Sequence, residues 1–175
     1  MRTICSYQSW IYIAIRESIY RFNVNETSGF HEFKLSEGNT SGGIIHVITV
    51  SEDGNFLYAG YSNKIVCCWE TSTGILKGKH LNKKRPTGLV YGRFYFNDSD
   101  NQISFSEECS GSNYRDVLLI GDKSGEISAV DHFMTKEPVL CGAHTTSVIT
   151  DMIMHQKLNL FVACDRDGME LYYIA

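Results

Sequence analysis

A chain of 175 residues with 43% hydrophobic and 12% aromatic residues, only 2 prolines and a 21% charged fraction has a globular composition, which excludes disorder over most of its length. A net charge of −4 excludes a bulk positive field, so any contact with nucleic acid has to come from local basic clusters. Six cysteines with no CxxC pair and no His in ligand spacing argue against zinc, and a metal site is not expected.

In chain order, residues 10–23 (WIYIAIRESIYRFN) form the first hairpin pattern: two runs rich in β-branched and aromatic residues around a turn placed at residues 16–18. The apolar core of this stretch, residues 10–15, is too short for a signal peptide or a membrane span. Residues 31–35 supply a further short strand, and 44–50 another, closed by the polar turn 51–55. The second hairpin is 56–70 (FLYAGYSNKIVCCWE), followed by a basic cluster of Lys77, Lys79, Lys83, Lys84 and Arg85 around His80. Residues 97–116 (NDSDNQISFSEECSGSNYRD) carry five acidic residues and one Arg, and read as a polar surface loop inserted within a repeat. The third hairpin is 117–131 (VLLIGDKSGEISAVD), with 139–141 as a further strand, and the fourth is 160–174 (LFVACDRDGMELYYI), preceded by a strand at 148–154. Gly125 and Gly168 stand where the turns call for a positive φ. Helical periodicity is absent nearly everywhere. Cys67, Cys68 and Cys164 lie within apolar runs, as small buried hydrophobes do, which fits a reducing compartment.

Set the insert aside and the hairpins recur at roughly 40 to 45 residues, a period of repeat architectures. Trp69-Glu70, Asp167-Gly168 and Gly142-Ala143-His144 make these units resemble WD repeats, in which a loop His, a turn Asp and a strand Trp form a buried hydrogen-bond chain. Here Ala163 and Tyr173 stand where such repeats have a Ser or Thr and the Trp, so His144 and Asp167 are left with a partial network and the strands depend mainly on apolar packing. The fold expected is all-β: residues 1–175 as part of a WD-repeat β-propeller, about four blades of a seven-bladed ring. Residues 1–35 are read as offering too few strands for a full first blade, and the chain as a truncated or short form.

Between Lys83 and Gly168 the likeness narrows. Lys83-Lys84-Arg85-Pro86, Asp122-Lys123-Ser124-Gly125 and Asp165-Arg166-Asp167, in this order and spacing, resemble the WD-repeat subunit of the eukaryotic tRNA (guanine-N7-)-methyltransferase. That resemblance implies a nuclear protein, with the cytoplasm as second compartment, that has no catalytic groups of its own. It would bind the catalytic subunit, hold it in the form that accepts tRNA, and leave S-adenosylmethionine to that partner. It also implies that Asp122, Lys123, Asp165, Arg166 and Asp167 lie where the subunits meet; Lys83, Lys84 and Arg85, with Lys77 and Lys79, are read separately from their charge, either as contacts to tRNA phosphates or as a solvated loop. Independently of the family, Lys123 and Arg166 occupy the same step of consecutive hairpin turns, a pairing that suits carboxylates on a partner. Trp69, His144, Gly125 and Gly168 are read as structural.

The competing reading is a WD-repeat scaffold or adaptor in another assembly, such as a ubiquitin ligase. Catalysis by the chain itself finds no support in its motifs: GxSxG and HExxH are absent, and Gly121-Asp122-Lys123-Ser124-Gly125 leads into a strand where a phosphate-binding loop would open a helix.

Overall fold

Short apolar runs separated by tight polar turns satisfy their backbone groups by pairing antiparallel with the run before and the run after. The computed structural model describes residues 3–26, 29–35, 43–97, 102–103, 114–143, 147–155, 160–168 and 170–174. At 94–97, 102–103, 114–115, 139–143, 155, 160–161 and 170–174 only the backbone is described. All regular structure among these residues is β-strand.

The first sheet is a meander of β1 (Ile4–Tyr7), β2 (Trp10–Ile15), β3 (Ser18–Asn23) and β4 (His31–Lys34), and the second repeats it with β5 (Ile45–Val50), β6 (Phe56–Tyr61), β7 (Ile65–Glu70) and β8 (Leu76–Leu81). The third contains β9 (Pro86–Asn97), β10 (Gln102–Ile103), β11 (Tyr114–Asp122), β12 (Glu126–Asp131) and β13 (Val139–Ala143) in the order β10-β9-β11-β12-β13. The last has β14 (Ile149–His155), β15 (Leu160–Asp165) and β16 (Glu170–Ile174).

The four hairpins read from the sequence close with their ends in register: Trp10 pairs with Asn23, Phe56 with Glu70, Val117 with Asp131 and Leu160 with Ile174. In three of them the last residue also shapes the link to the outer strand. Asn23 accepts from the Asn25 N–H, Glu70 from the Thr73 hydroxyl, and Asp131 from both Thr135 Oγ1 and the Lys136 N–H. A side-chain acceptor at this step folds the chain back toward that strand.

Several expectations are corrected. Residues 1–35 are expected to offer too few strands for a full blade, yet the strands between Ile4 and Lys34 make a four-stranded sheet, because the short run ICSY pairs with β2 through Ile4↔Ile13 and Tyr7↔Trp10. The first hairpin turn is tighter than 16–18: Ser18 already belongs to β3 and pairs with Ile15. Of the basic cluster, Lys77 and Lys79, with His80, lie on the edge strand β8, and Lys83, Lys84 and Arg85 follow it. Its Lys77 and Lys79 point outward on alternate positions, where charge discourages pairing with another edge. The insert 97–116 begins and ends in strand, with β10 between; residues 98–101 and 104–113 lie outside the described residues.

Two units are distinguished, Met1–Pro86 and Thr87–Ala175. In the first, Tyr12, Ile19 and Phe33 of the first sheet meet Ile48, Leu57, Cys67 and Trp69 of the second in one buried cluster. Trp69 is 1% exposed, so the tryptophan of the repeat is core. Arg21 lies with its guanidinium carbon 4.4 Å from the Trp10 ring centroid and 5.7 Å from that of Phe33, and donates to the Thr71 carbonyl, which ties the two sheets. In the second unit, Val117, Leu119, Ile127 and Ala129 pack on Ile149, Met152 and Ala163. Gly121 is needed there for close approach: a Cβ on it would lie 2.5 Å from the Met152 sulfur.

Candidate functional site

In the second unit the β11–β12 and β15–β16 turns share one layout, set by an aspartate at the end of the first strand. Asp122 is 3% exposed, and its Oδ1 accepts from the Ser124 N–H at 2.8 Å, the Ser124 hydroxyl at 2.7 Å and the Glu126 N–H at 3.3 Å. Asp165 is 5% exposed, and its Oδ1 accepts from the Asp167 N–H at 2.9 Å. Each aspartate carbonyl then accepts from the turn glycine, Gly125 or Gly168, and both glycines have the positive φ expected of them (86° and 81°). The Arg166 N–H donates to the Val148 carbonyl, which fixes the second turn against the start of β14.

Asp122 and Asp165 therefore hold their own turns, with carboxylates facing inward. Lys123, Arg166 and Asp167 are the exposed members of the five residues expected at an interface. Lys123 and Arg166 each directly follow the buried aspartate, so their backbones are fixed while the cationic heads stand in solvent. A guanidinium and an ammonium presented in this way can pair with carboxylates or phosphates.

The remaining candidates fall elsewhere. His144 lies outside the described residues, as does the side chain of Tyr173, so the WD hydrogen-bond chain of this repeat is not seen. Lys83 and Lys84 are exposed in the link between β8 and β9, and Arg85 is half-buried. Cys67 and Cys68 are buried side by side on β7, and burial pushes both thiols up to about 12, which leaves them protonated and poorly nucleophilic at neutral pH. Among the described residues no group of three or more His, Cys, Asp or Glu could hold a metal ion.

One residue was missed in the sequence. Lys64 has φ 73°, in the left-handed region, at the step of its turn where Gly125 and Gly168 stand in theirs. Aligning the three hairpins of fifteen residues puts Lys64 under the two glycines, so the signal was present.

No protein-family model matches the chain, and a search of the curated proteins finds no match. Solved structures do. The computationally designed Ika4 protein is similar with a TM-score of 0.62 and 14% identity over 98% of this chain and 89% of that one. A chain of a mitotic checkpoint complex is similar with a TM-score of 0.76 and 14% identity over all of this chain. This chain spans only about half of that one (48%). At such identity the likeness carries fold alone, and 867 solved chains match, so the fold selects no single function. The fold is all-β and WD-repeat-like, built as successive antiparallel meanders.

Proposed function

We propose that this chain is a non-catalytic WD-repeat scaffold that grips a partner protein through the β11–β12 and β15–β16 turns, and that the partner is the catalytic subunit of a tRNA guanine-N7 methyltransferase. The observation that carries the scaffold reading is the repeated turn: a buried Asp, then an exposed Lys123 or Arg166, then a glycine in the left-handed region. Two cations whose backbones are held by hydrogen-bonded turns favour a specific carboxylate-bearing partner over diffuse charge, because little backbone freedom is lost on docking. The choice of partner is supported by the sequence resemblance between Lys83 and Gly168. On this reading the catalytic subunit binds S-adenosylmethionine and performs the methyl transfer, and tRNA is engaged by the complex.

The test is co-expression with the catalytic subunit from the same organism, followed by capture and a methylation assay on tRNA. The unmodified chain is expected to retain the partner and support methylation. Lys123→Glu with Arg166→Glu is expected to lose most of the captured partner, by roughly tenfold or more, since like charges at a docking contact cost several kcal/mol. Full retention by the double variant would sink the interface. An affinity purification that brings down a different assembly, such as a ubiquitin ligase, would sink the methyltransferase assignment and keep the scaffold.

A further inference from the structure

The first unit hides a charge separation that the net charge of −4 conceals. Each meander sends its second turn and its exit link to one end of the strands, and its first and third turns to the other. At the first of these ends stand Arg16 in the β2–β3 turn, Lys64 in the β6–β7 turn, and Lys83, Lys84 and Arg85 after β8. The acidic side chain described in these turns is Glu17. The opposite end carries Glu26, Glu52, Asp53 and Glu70 in or beside its turns, with Lys77 paired to Glu70 at 3.5 Å.

Backbone hydrogen bonds hold the basic end together. The Ile45 N–H donates to the Arg16 carbonyl at 2.7 Å, and the Ser62 N–H donates to the Ile44 carbonyl at 2.8 Å. The Asn82 N–H then donates to the Lys64 carbonyl at 2.9 Å. Asn82 is 6% exposed, and its side-chain amide donates to the Lys84 carbonyl at 2.9 Å. One buried asparagine thus fastens the Lys64 turn to the Lys83-Lys84-Arg85 segment. Arg85 brings a guanidinium whose buried Nε donates to nothing among the described residues. His46 registers its charge: burial, and then Arg85, hold this imidazole below its ordinary value.

Lys64 and Arg16 also sit in the left-handed region, at φ 73° and 56°, a conformation that is strained for a residue with a side chain and open to glycine. At Lys64 a cationic side chain is kept at a conformational cost that Gly125 and Gly168, at the same step of their turns, avoid.

We infer that Lys64, Lys83, Lys84 and Arg85, flanked by Arg16, form a platform for the phosphodiester backbone of RNA. Three of the four central cations are lysines, point charges suited to phosphates; a protein-binding core favours aromatic residues and arginine and is depleted in lysine. Naming tRNA as the RNA rests on the methyltransferase reading; the platform itself requires only phosphates.

The experiment is binding of the full chain to a labelled tRNA transcript across a salt series. Four phosphate contacts predict a slope of log affinity against log salt near −3 to −4, a loss of about a hundredfold between 50 and 200 mM salt. Lys64→Glu with Lys83→Glu and Lys84→Glu, all exposed positions, is expected to weaken binding tenfold or more at low salt, with circular dichroism unchanged. Lys64→Gly relieves the backbone and removes one charge, so it should weaken binding several-fold without loss of thermal stability. Lys123→Glu with Arg166→Glu should leave tRNA binding intact while it disrupts partner capture, so the two proposals fail separately. A triple variant that binds like the parent, or a parent that ignores tRNA and takes up polyglutamate, would overturn the inference; the latter would make an acidic protein the occupant.

Discussion

Thr71 does more than its size predicts. It is 6% exposed, its N–H donates to the Asn55 carbonyl at 2.9 Å, its hydroxyl donates to the Gly54 carbonyl at 2.7 Å, and its own carbonyl receives Arg21. One residue therefore closes the β5–β6 turn onto the end of β7 and anchors the arginine that lies over Trp10 and Phe33. Thr71→Val keeps the shape and deletes the donor, which leaves a buried carbonyl unsatisfied; we expect a loss of about 1–3 kcal/mol in urea unfolding. Thr71→Ser keeps the hydroxyl and should cost less than half as much. Equal losses in the two variants would mean that packing of the methyl group, and not the hydrogen bond, is what Thr71 supplies. No pattern in the sequence marks this residue, since its three partners are distant in sequence or are backbone atoms.

At the level of the strand and turn, the hairpins were the legible part. Continuous apolar runs around a short polar turn pair in the register that the turn length sets, so Phe56↔Glu70 and Val117↔Asp131 follow from the position of the turn. Edge strands were not legible. LKGKHL (β8) carries its lysines and histidine on a strand whose outer side is unpaired, and ICSY (β1) is too short to show a period. The same limit applied to the site: the spacing placed Lys123 and Arg166 at matching steps, but nothing in Asp122-Lys123 or Asp165-Arg166 told the inward carboxylate from the outward cation. Burial separates them, and it separates their mutational effects. Asp122→Ala removes the acceptor for three donors of its turn and should lower stability by about 1–3 kcal/mol, whereas Lys123→Ala, at an exposed position, should stay within about 0.5 kcal/mol. Thermal melts of the two variants decide this. A stable Asp122→Ala chain would show that Gly125 alone sets the turn.

At the scale of the whole chain, the first sheet carries large apolar residues on both faces, those of the outer face standing among Ser6, Ser18, Glu32 and Lys34. Trp10, Tyr12, Ala14, Ile19 and Phe33 face the core shared with the second sheet. The alternate positions carry Ile4, Ile11, Ile13, Tyr20 and Phe22, and the strand register sets Ile4 beside Ile13, Ile13 beside Tyr20 and Ile11 beside Phe22. Ile4 is 57% exposed, Ile15 54%, Phe22 37% and Phe30 62%. A sheet built to meet water on one side would alternate cleanly, with polar residues on that side, whereas large apolar residues on both faces belong to a sheet with a neighbour on each. Contiguous apolar surface of this kind drives association when it is left open. The isolated chain is therefore expected to self-associate as its concentration rises, and Ile15→Lys with Phe22→Lys is expected to hold it monomeric, since two charges on that face make its burial costly. Sedimentation velocity over a hundredfold concentration range reads the difference. A parent chain that stays monomeric throughout, or a double variant that associates as strongly as the parent, would show that this face does not seek a neighbour, and the repeat would then be stabilised from its inner face alone.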